Sequence, residues 1–394
     1  MTALTASTST ARGTARRRSS IALLSTYPAT QCGLATFTQA LHAELVRTVD
    51  SVGVVRVLDR PLTGGDPQDA PEVVDHLVNG SPTSGAAARH TLDGYGTVIV
   101  QHEYGIYGGP DGADVVELVE ALTAPVIVVL HTVLAAPSAR QREILVRLAA
   151  AADVVVAMTE TGRRRLREVY DVSADRVRVI PHGAIDHRSA PRRRPLGRRP
   201  LVLTWGLLGP GKGIEWAIDA MPGLRDLRPR YLVAGETHPK VLERDGEAYR
   251  TCLAERIAAR GVADLVEVDP SYLGLRELAN LIECADVVLL PYDSPDQVTS
   301  GVLIEAVAAG RPVVSTAFPH AIELLAGGAG LVVPRQDPDA IGAALRRVLS
   351  EPGLSTRMAA QAASEAPELV WAAVAERYRQ LAVTLVAAGL AAVS

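Results

Sequence analysis

Three cysteines in 394 residues, Cys32, Cys252 and Cys284, are too few and too scattered for a disulfide framework or a metal-ligand spacing. They suit a reduced cytosol, so a cytoplasmic location is the expectation. Aromatic residues make up only 4% of the chain, which leaves no legible stacking platform for an acceptor. No apolar run reaches the length of about 20 residues that a membrane span requires. A net charge of -4 argues against a dedicated nucleic-acid binder. The triplets Arg16-Arg17-Arg18, Arg163-Arg164-Arg165 and Arg192-Arg193-Arg194 read as solvated faces or linker. The first precedes Ile21-Ala22-Leu23-Leu24 and imitates an export signal, but that apolar stretch is short and is broken by Tyr27-Pro28. Residues 1–18 therefore read as a disordered Ser/Thr-rich tail.

What is present is aliphatic. The chain is 48% hydrophobic, rich in Ala, Val and Leu, and long enough for two domains. Strand-like apolar runs are predicted at 21–25, 51–58, 97–101, 126–131, 154–158 and 177–181. A second set falls at 201–205, 231–234, 265–268, 287–291 and 312–315. Helical patterns at 35–48, 138–151, 160–170 and 213–220 lie between them. Buried strands alternating with helices imply parallel sheets covered on both faces. The Pro- and Arg-rich stretch 186–200 lacks periodicity and reads as a linker. The expected organisation is a domain at 19–185, the linker at 186–200 and a domain at 201–365. A helix at 366–394 would then return to the first domain. Ligands belong at the carboxyl ends of the strands.

Four strand ends carry chemistry. Gly33, at the turn after the first strand, lets backbone approach a ligand closely. His102, Glu103 and Tyr104 end the 97–101 strand and offer hydroxyl-binding groups and a ring. His131 ends the 126–131 run, where its imidazole points into a crevice. Gly206 to Gly213 resembles a P-loop in spacing, but Gly213 stands where a Ser/Thr holds magnesium, and G-x-G-x-x-G also fails. A glycine-rich loop with one lysine, Lys212, survives and suits a diphosphate. The stretch Ala285 to Pro319 adds a strand, then Thr299-Ser300-Gly301 at a helix N-terminus, a ready phosphate site. Glu305 lies one turn into that helix, and Gln297 lies in the loop before it.

Taken together these residues resemble the retaining glycosyltransferases of family 4, over nearly the whole chain after the tail. The resemblance implies the GT-B fold: α/β, with two Rossmann-like doubly wound domains facing a central cleft. It assigns Lys212 to the donor diphosphate and Glu305, the second glutamate of an E-x7-E pattern, to the donor ribose. Thr299, Ser300 and Gly301 fall where backbone amides approach phosphate and sugar. Gly33, Gly206, Tyr272 and Val302 join the donor-binding set, and His102, Glu103 and Tyr104 form the acceptor side. His131, Lys212 and Gln297 carry the catalytic roles. Two departures are visible: Leu207 replaces the usual arginine, and Gln297 replaces the first glutamate, as in a bacterial subgroup.

The resulting expectation is a retaining hexosyltransferase that uses a nucleotide-diphospho-sugar and a carbohydrate or other hydroxyl acceptor. It expects no cofactor and no obligatory metal, and leaves mannosyl and glucosyl transfer both open. Two alternatives stand beside it. One is another GT-B enzyme, such as a sugar-nucleotide epimerase or a phosphorylase. The other is a non-catalytic nucleotide-sugar-binding protein, for which Leu207 and Gln297 speak.

Overall fold

In a computed structural model of the chain, residues 20–67, 69–187, 198–271 and 273–393 are described. The tail at 1–18, most of the 186–200 segment and Tyr272 lie outside them. The chain divides into two units, Met1–Gly183 with Trp371–Ser394, and Ala184–Val370.

The first unit holds a seven-stranded sheet in the order β3-β2-β1-β4-β5-β6-β7. Its strands are β1 (Ser20–Ser25), β2 (Ser51–Leu58), β3 (Val73–Val78), β4 (Thr97–His102), β5 (Val126–Leu130), β6 (Val154–Ala157) and β7 (Val177–Val179). All pairings are parallel. The central strands β1, β4, β5 and β6 are buried at every position, as uninterrupted apolar runs require when helices cover both faces. The helix Trp371–Val393 closes one face, where Trp371, Val374 and Tyr378 share a core with Phe37, Leu41 and Leu45.

The second unit holds a six-stranded parallel sheet in the order β10-β9-β8-β11-β12-β13. Its strands are β8 (Leu201–Trp205), β9 (Arg230–Ala234), β10 (Val266–Asp269), β11 (Val287–Leu290), β12 (Val313–Thr316) and β13 (Gly330–Val333). Two strands, β3 and β13, had no counterpart among the sequence-predicted runs. Both lie at sheet edges and are mostly only part-buried: VVDHLV is interrupted by Asp75 and His76, and the apolar run of GLVV is too short to stand out beside the preceding glycines.

Each strand order reverses once, between β1 and β4 in the first unit and between β8 and β11 in the second. At such a switch point the loops leaving two neighbouring strands diverge to opposite faces and open a crevice at the carboxyl edge.

Candidate functional site

In the second unit the switch point is built from the loop after β8 and the loop after β11. The first loop turns on glycines. Gly206, Gly211 and Gly213 all have positive φ, at 118°, 87° and 64°. Gly213 is the N-cap of the helix Ile214–Ala220, and a Cβ there would collide with the Pro291 carbonyl. A serine or threonine cannot occupy that place, which explains why the P-loop likeness stops at Lys212. The two loops are tied by Asp293, whose amide donates to the Gly211 carbonyl at 2.9 Å. Lys212 Nζ lies 4.5 Å from the centroid of the Tyr292 ring. Burial first, then the charges of Lys212 and Lys240, lower the pKa of the nearby His238. Lys212 is thus the one cation of the glycine loop, with Lys240 close enough for both to act on His238.

The second loop ends at the helix Gly301–Ala308. Ser300 caps it, its Oγ accepting from the Leu303 amide at 3.2 Å. The Ser300 amide itself donates to His320 Nδ1 at 2.8 Å. That amide is thus unavailable to a ligand, contrary to the expectation for Thr299 to Gly301. Among the described residues the Gly301 and Val302 amides take no acceptor, so the exposed end of the helix dipole is theirs. Val302 also adjoins the glycine loop, since a Cβ at Gly206 would lie 3.7 Å from Val302 Cγ2. Thr299 leaves a buried Oγ1 without a partner. Gln297 donates from Nε2 to the Thr299 carbonyl at 3.1 Å, shaping the loop before the helix. His320 was not singled out from sequence; its position near the carboxyl end of β12, beside the switch point, was the available signal.

Glu305 stands one turn into the same helix. Its Oε2 accepts from the Ile185 amide at 3.4 Å and lies 3.7 Å from His187 Nε2. Lys212, Gln297, Thr299 to Val302 and Glu305 therefore all belong to the loop or helix elements around one switch point.

In the first unit Gly33 starts the helix Gly33–Leu45, capped by Cys32, whose Sγ accepts from the Ala35 amide at 3.4 Å. A Cβ at Gly33 would meet nothing within 4 Å, so the chain's own packing does not demand a glycine there. His131 follows β5 and its Nε2 lies 2.7 Å from Gln101 Oε1. Its ring meets Phe37 edge-on at 4.9 Å. Burial, aided by His182 and His102, pulls its pKa down to about 3, so the ring is neutral. His102 is fully buried with neither ring nitrogen bonded, and burial lowers its pKa to about 4. Glu103 accepts from the Thr132 hydroxyl and the Tyr104 amide, while the Tyr104 hydroxyl donates to the Gln141 carbonyl. The expected acceptor trio is thus engaged in shaping its own loop: His102 has no surface to offer, and the polar groups of Glu103 and Tyr104 are bonded internally. Gln101, which sequence reading passed over as a strand residue, is the partner that orients His131.

Two family models match the chain. One described as "Glycosyltransferase Family 4" covers residues 33–188, and one described as "Glycosyl transferases group 1" covers residues 199–351. Among curated proteins, the D-inositol 3-phosphate glycosyltransferase of Kineococcus radiotolerans is 31% identical over 57% of this chain and 56% of its own length. The alpha-D-kanosaminyltransferase of Streptomyces kanamyceticus is 30% identical over 55% of this chain and 56% of its own. The chain thus spans little more than half the length of these relatives. Among solved structures, HepE of Anabaena in complex with UDP superimposes with a TM-score of 0.73 at 16% identity, covering 92% of this chain and 99% of that one. Sucrose-phosphate synthase of Thermosynechococcus elongatus gives 0.74 at 20% identity, covering 94% and 99%. At those identities the likeness shows the fold: two parallel-sheet Rossmann-like domains, the GT-B architecture.

Proposed function

The chain belongs to the family 4 glycosyltransferases, and from that premise we propose that it transfers a hexose from a nucleotide-diphospho-sugar to a hydroxyl acceptor with retention of configuration. The observation that carries this reading is the β8/β11 switch point. There the Lys212 loop and the unpaired Gly301 and Val302 amides meet in one unit. Such a site is built for the charge that develops on a departing diphosphate. In this reading Lys212 and the two amides, rather than an obligatory metal ion, balance that charge. Glu305, whose Oε2 faces Ile185 and His187, is assigned to the donor ribose rather than to nucleophilic attack. The acceptor hydroxyl then attacks the anomeric carbon on the face the diphosphate leaves. The carbon–phosphate-oxygen bond breaks as the new glycosidic bond forms, and the hydroxyl proton passes to the leaving phosphate oxygen. His131, neutral in its pocket, and Gln297 are assigned to orient the sugar.

Among the described residues no helix is long and apolar enough to cross a membrane. The scattered free cysteines and the bacterial relatives support a bacterial cytoplasmic setting for the reaction. Solved relatives of the fold are complexed with UDP and with UDP-glucose, so UDP-glucose heads the donor panel, followed by other UDP- and GDP-hexoses. Release of nucleoside diphosphate is followed by mass spectrometry with sugar and cyclitol acceptors. Lys212→Ala is expected to slow release by about 100-fold or more, the scale of one lost charge-stabilising group, with the melting temperature unchanged. Near-normal release would remove the loop from the mechanism. Binding of donors without any release across the panel would favour the non-catalytic reading, for which Leu207, in place of a cationic partner, already speaks.

A further inference from the structure

We propose that His187 is a positioning residue for nucleotide recognition: held as an imidazolium between Glu283 and Glu305, it fixes the Glu305 carboxylate so that its second oxygen is left for the ribose. This rests on the reading of Glu305 as the ribose-binding group.

The His187 side chain is only 3% exposed. Its Nδ1 lies 3.4 Å from Glu283 Oε1, and its Nε2 lies 3.7 Å from Glu305 Oε2. An ionised carboxylate only accepts, and a neutral imidazole has a single N–H. A neutral ring would therefore turn a lone pair toward one of the two carboxylates in a buried place. Only the doubly protonated ring gives each carboxylate a donor. Nε2 makes no hydrogen bond at 3.7 Å, but the two nearby carboxylates, Glu305 and Glu283, outweigh the opposing effect of burial and hold the pKa of His187 above its ordinary value. Among the described residues no arginine or lysine is paired with Glu283 or Glu305. Arg311 donates to the carbonyls of Ala309, Glu283 and Ala285, and Arg198 to the Cys284 carbonyl and Asp286.

The consequence falls on Glu305. Its Oε2 faces His187 and the Ile185 amide, both from the short segment that opens the second unit. Its Oε1 has no bond among the described residues. A carboxylate immobilised in this way pays less ordering entropy when a ligand arrives, which is preorganisation.

Calorimetric titration of the full chain tests the proposal. UDP, GDP and ADP are compared first, and the tightest binder is then compared with its 2′-deoxy form. Wild type should prefer the ribose form by about tenfold or more, the scale of a hydrogen bond to a charged group. Glu305→Gln and His187→Gln should both bring that preference down toward unity, while affinity for the deoxy form holds within about threefold, because the diphosphate is bound elsewhere. A His187→Gln protein that keeps the full preference while Glu305→Gln loses it overturns the proposal and leaves the ribose reading standing. A wild type without any preference removes both. If His187→Gln does not fold, nitrogen-15 imidazole shifts of the wild type at neutral pH still decide. Two protonated ring nitrogens at His187 support the clamp, and a neutral tautomer overturns it.

Discussion

Gly213 shows how much a single residue can be asked to do. Its φ of 64° and its place against the Pro291 carbonyl are separate demands. Gly211, at φ 87°, shares only the first, since a Cβ there would lie 3.8 Å from the Asp293 carbonyl oxygen. Left-handed backbone costs a substituted residue about 1–2 kcal/mol, and a forced steric shift adds about 1–3 kcal/mol. Gly211→Ala should therefore lose about 1 kcal/mol in urea unfolding, and Gly213→Ala at least about twice that. Equal losses would show that the Pro291 approach is not a constraint. The sequence made the glycines visible but could not separate these causes, because Pro291 is distant in the chain. The same limit applies to Gln297. Read alone, it is a missing charge; in the structure its amide is a donor to the Thr299 carbonyl, a bond that no carboxylate can make. His102 fails in the opposite way. Its strand-end position suggested a ligand-facing group, yet the ring is turned into the interior, which only the packing of the 103–109 loop decides.

Among elements, the helix Gly301–Ala308 is the one on which the site depends most. It has eight residues and little length to stabilise itself, so its cap matters. Ser300→Ala removes the acceptor for the Leu303 amide and should cost about 1 kcal/mol, while Ser300→Gly should cost only a few tenths. Melting temperatures measured side by side check the order; an alanine variant as stable as the glycine variant would contradict the cap. Nucleoside diphosphate affinity should fall with the alanine change as well, since a frayed turn no longer fixes the Gly301 and Val302 amides. The interior strands and the long amphipathic helices were legible because their burial is written as apolar runs or 3.6-residue periodicity. The helix predicted over 160–170 matches Glu160–Tyr170, where Thr159 caps one end and Asp171 adopts the left-handed conformation at the other. The edge strands β3 and β13 escaped because an edge needs no second buried face.

At the scale of the whole molecule, His102 and His131 of the first unit and His187 of the second are held in opposite charge states, and pH should pull the two stabilities apart. In the first unit His102 and His131 are neutral, with pKa values lowered to about 4 and about 3 by burial. Between the ordinary histidine value of about 6.5 and those values, the unfolded chain binds protons that the folded unit does not. Stability of the first unit should therefore drain away as pH falls through that window. In the second unit His187 moves the other way: its stabilisation is present below the ordinary value and is lost as pH rises through its raised pKa. In the second unit Arg256 and Arg260 hold the Asp219 carboxyl at about 2, so the stability it contributes is lost as pH falls from the ordinary value of 3.8 toward about 2, at lower pH than the histidine window opens. His238, lowered by its partial burial, works against the second unit in mild acid, but it is far more open than His102 and its share is smaller. Lowering the pH from neutral toward about 5 should accordingly destabilise the first unit ahead of the second. Hydrogen exchange read by mass spectrometry resolves the two. Peptides from 97–131 should lose protection before peptides from 201–234, and loss in the reverse order, or in both together at every pH, would mean that the buried histidines do not govern acid stability.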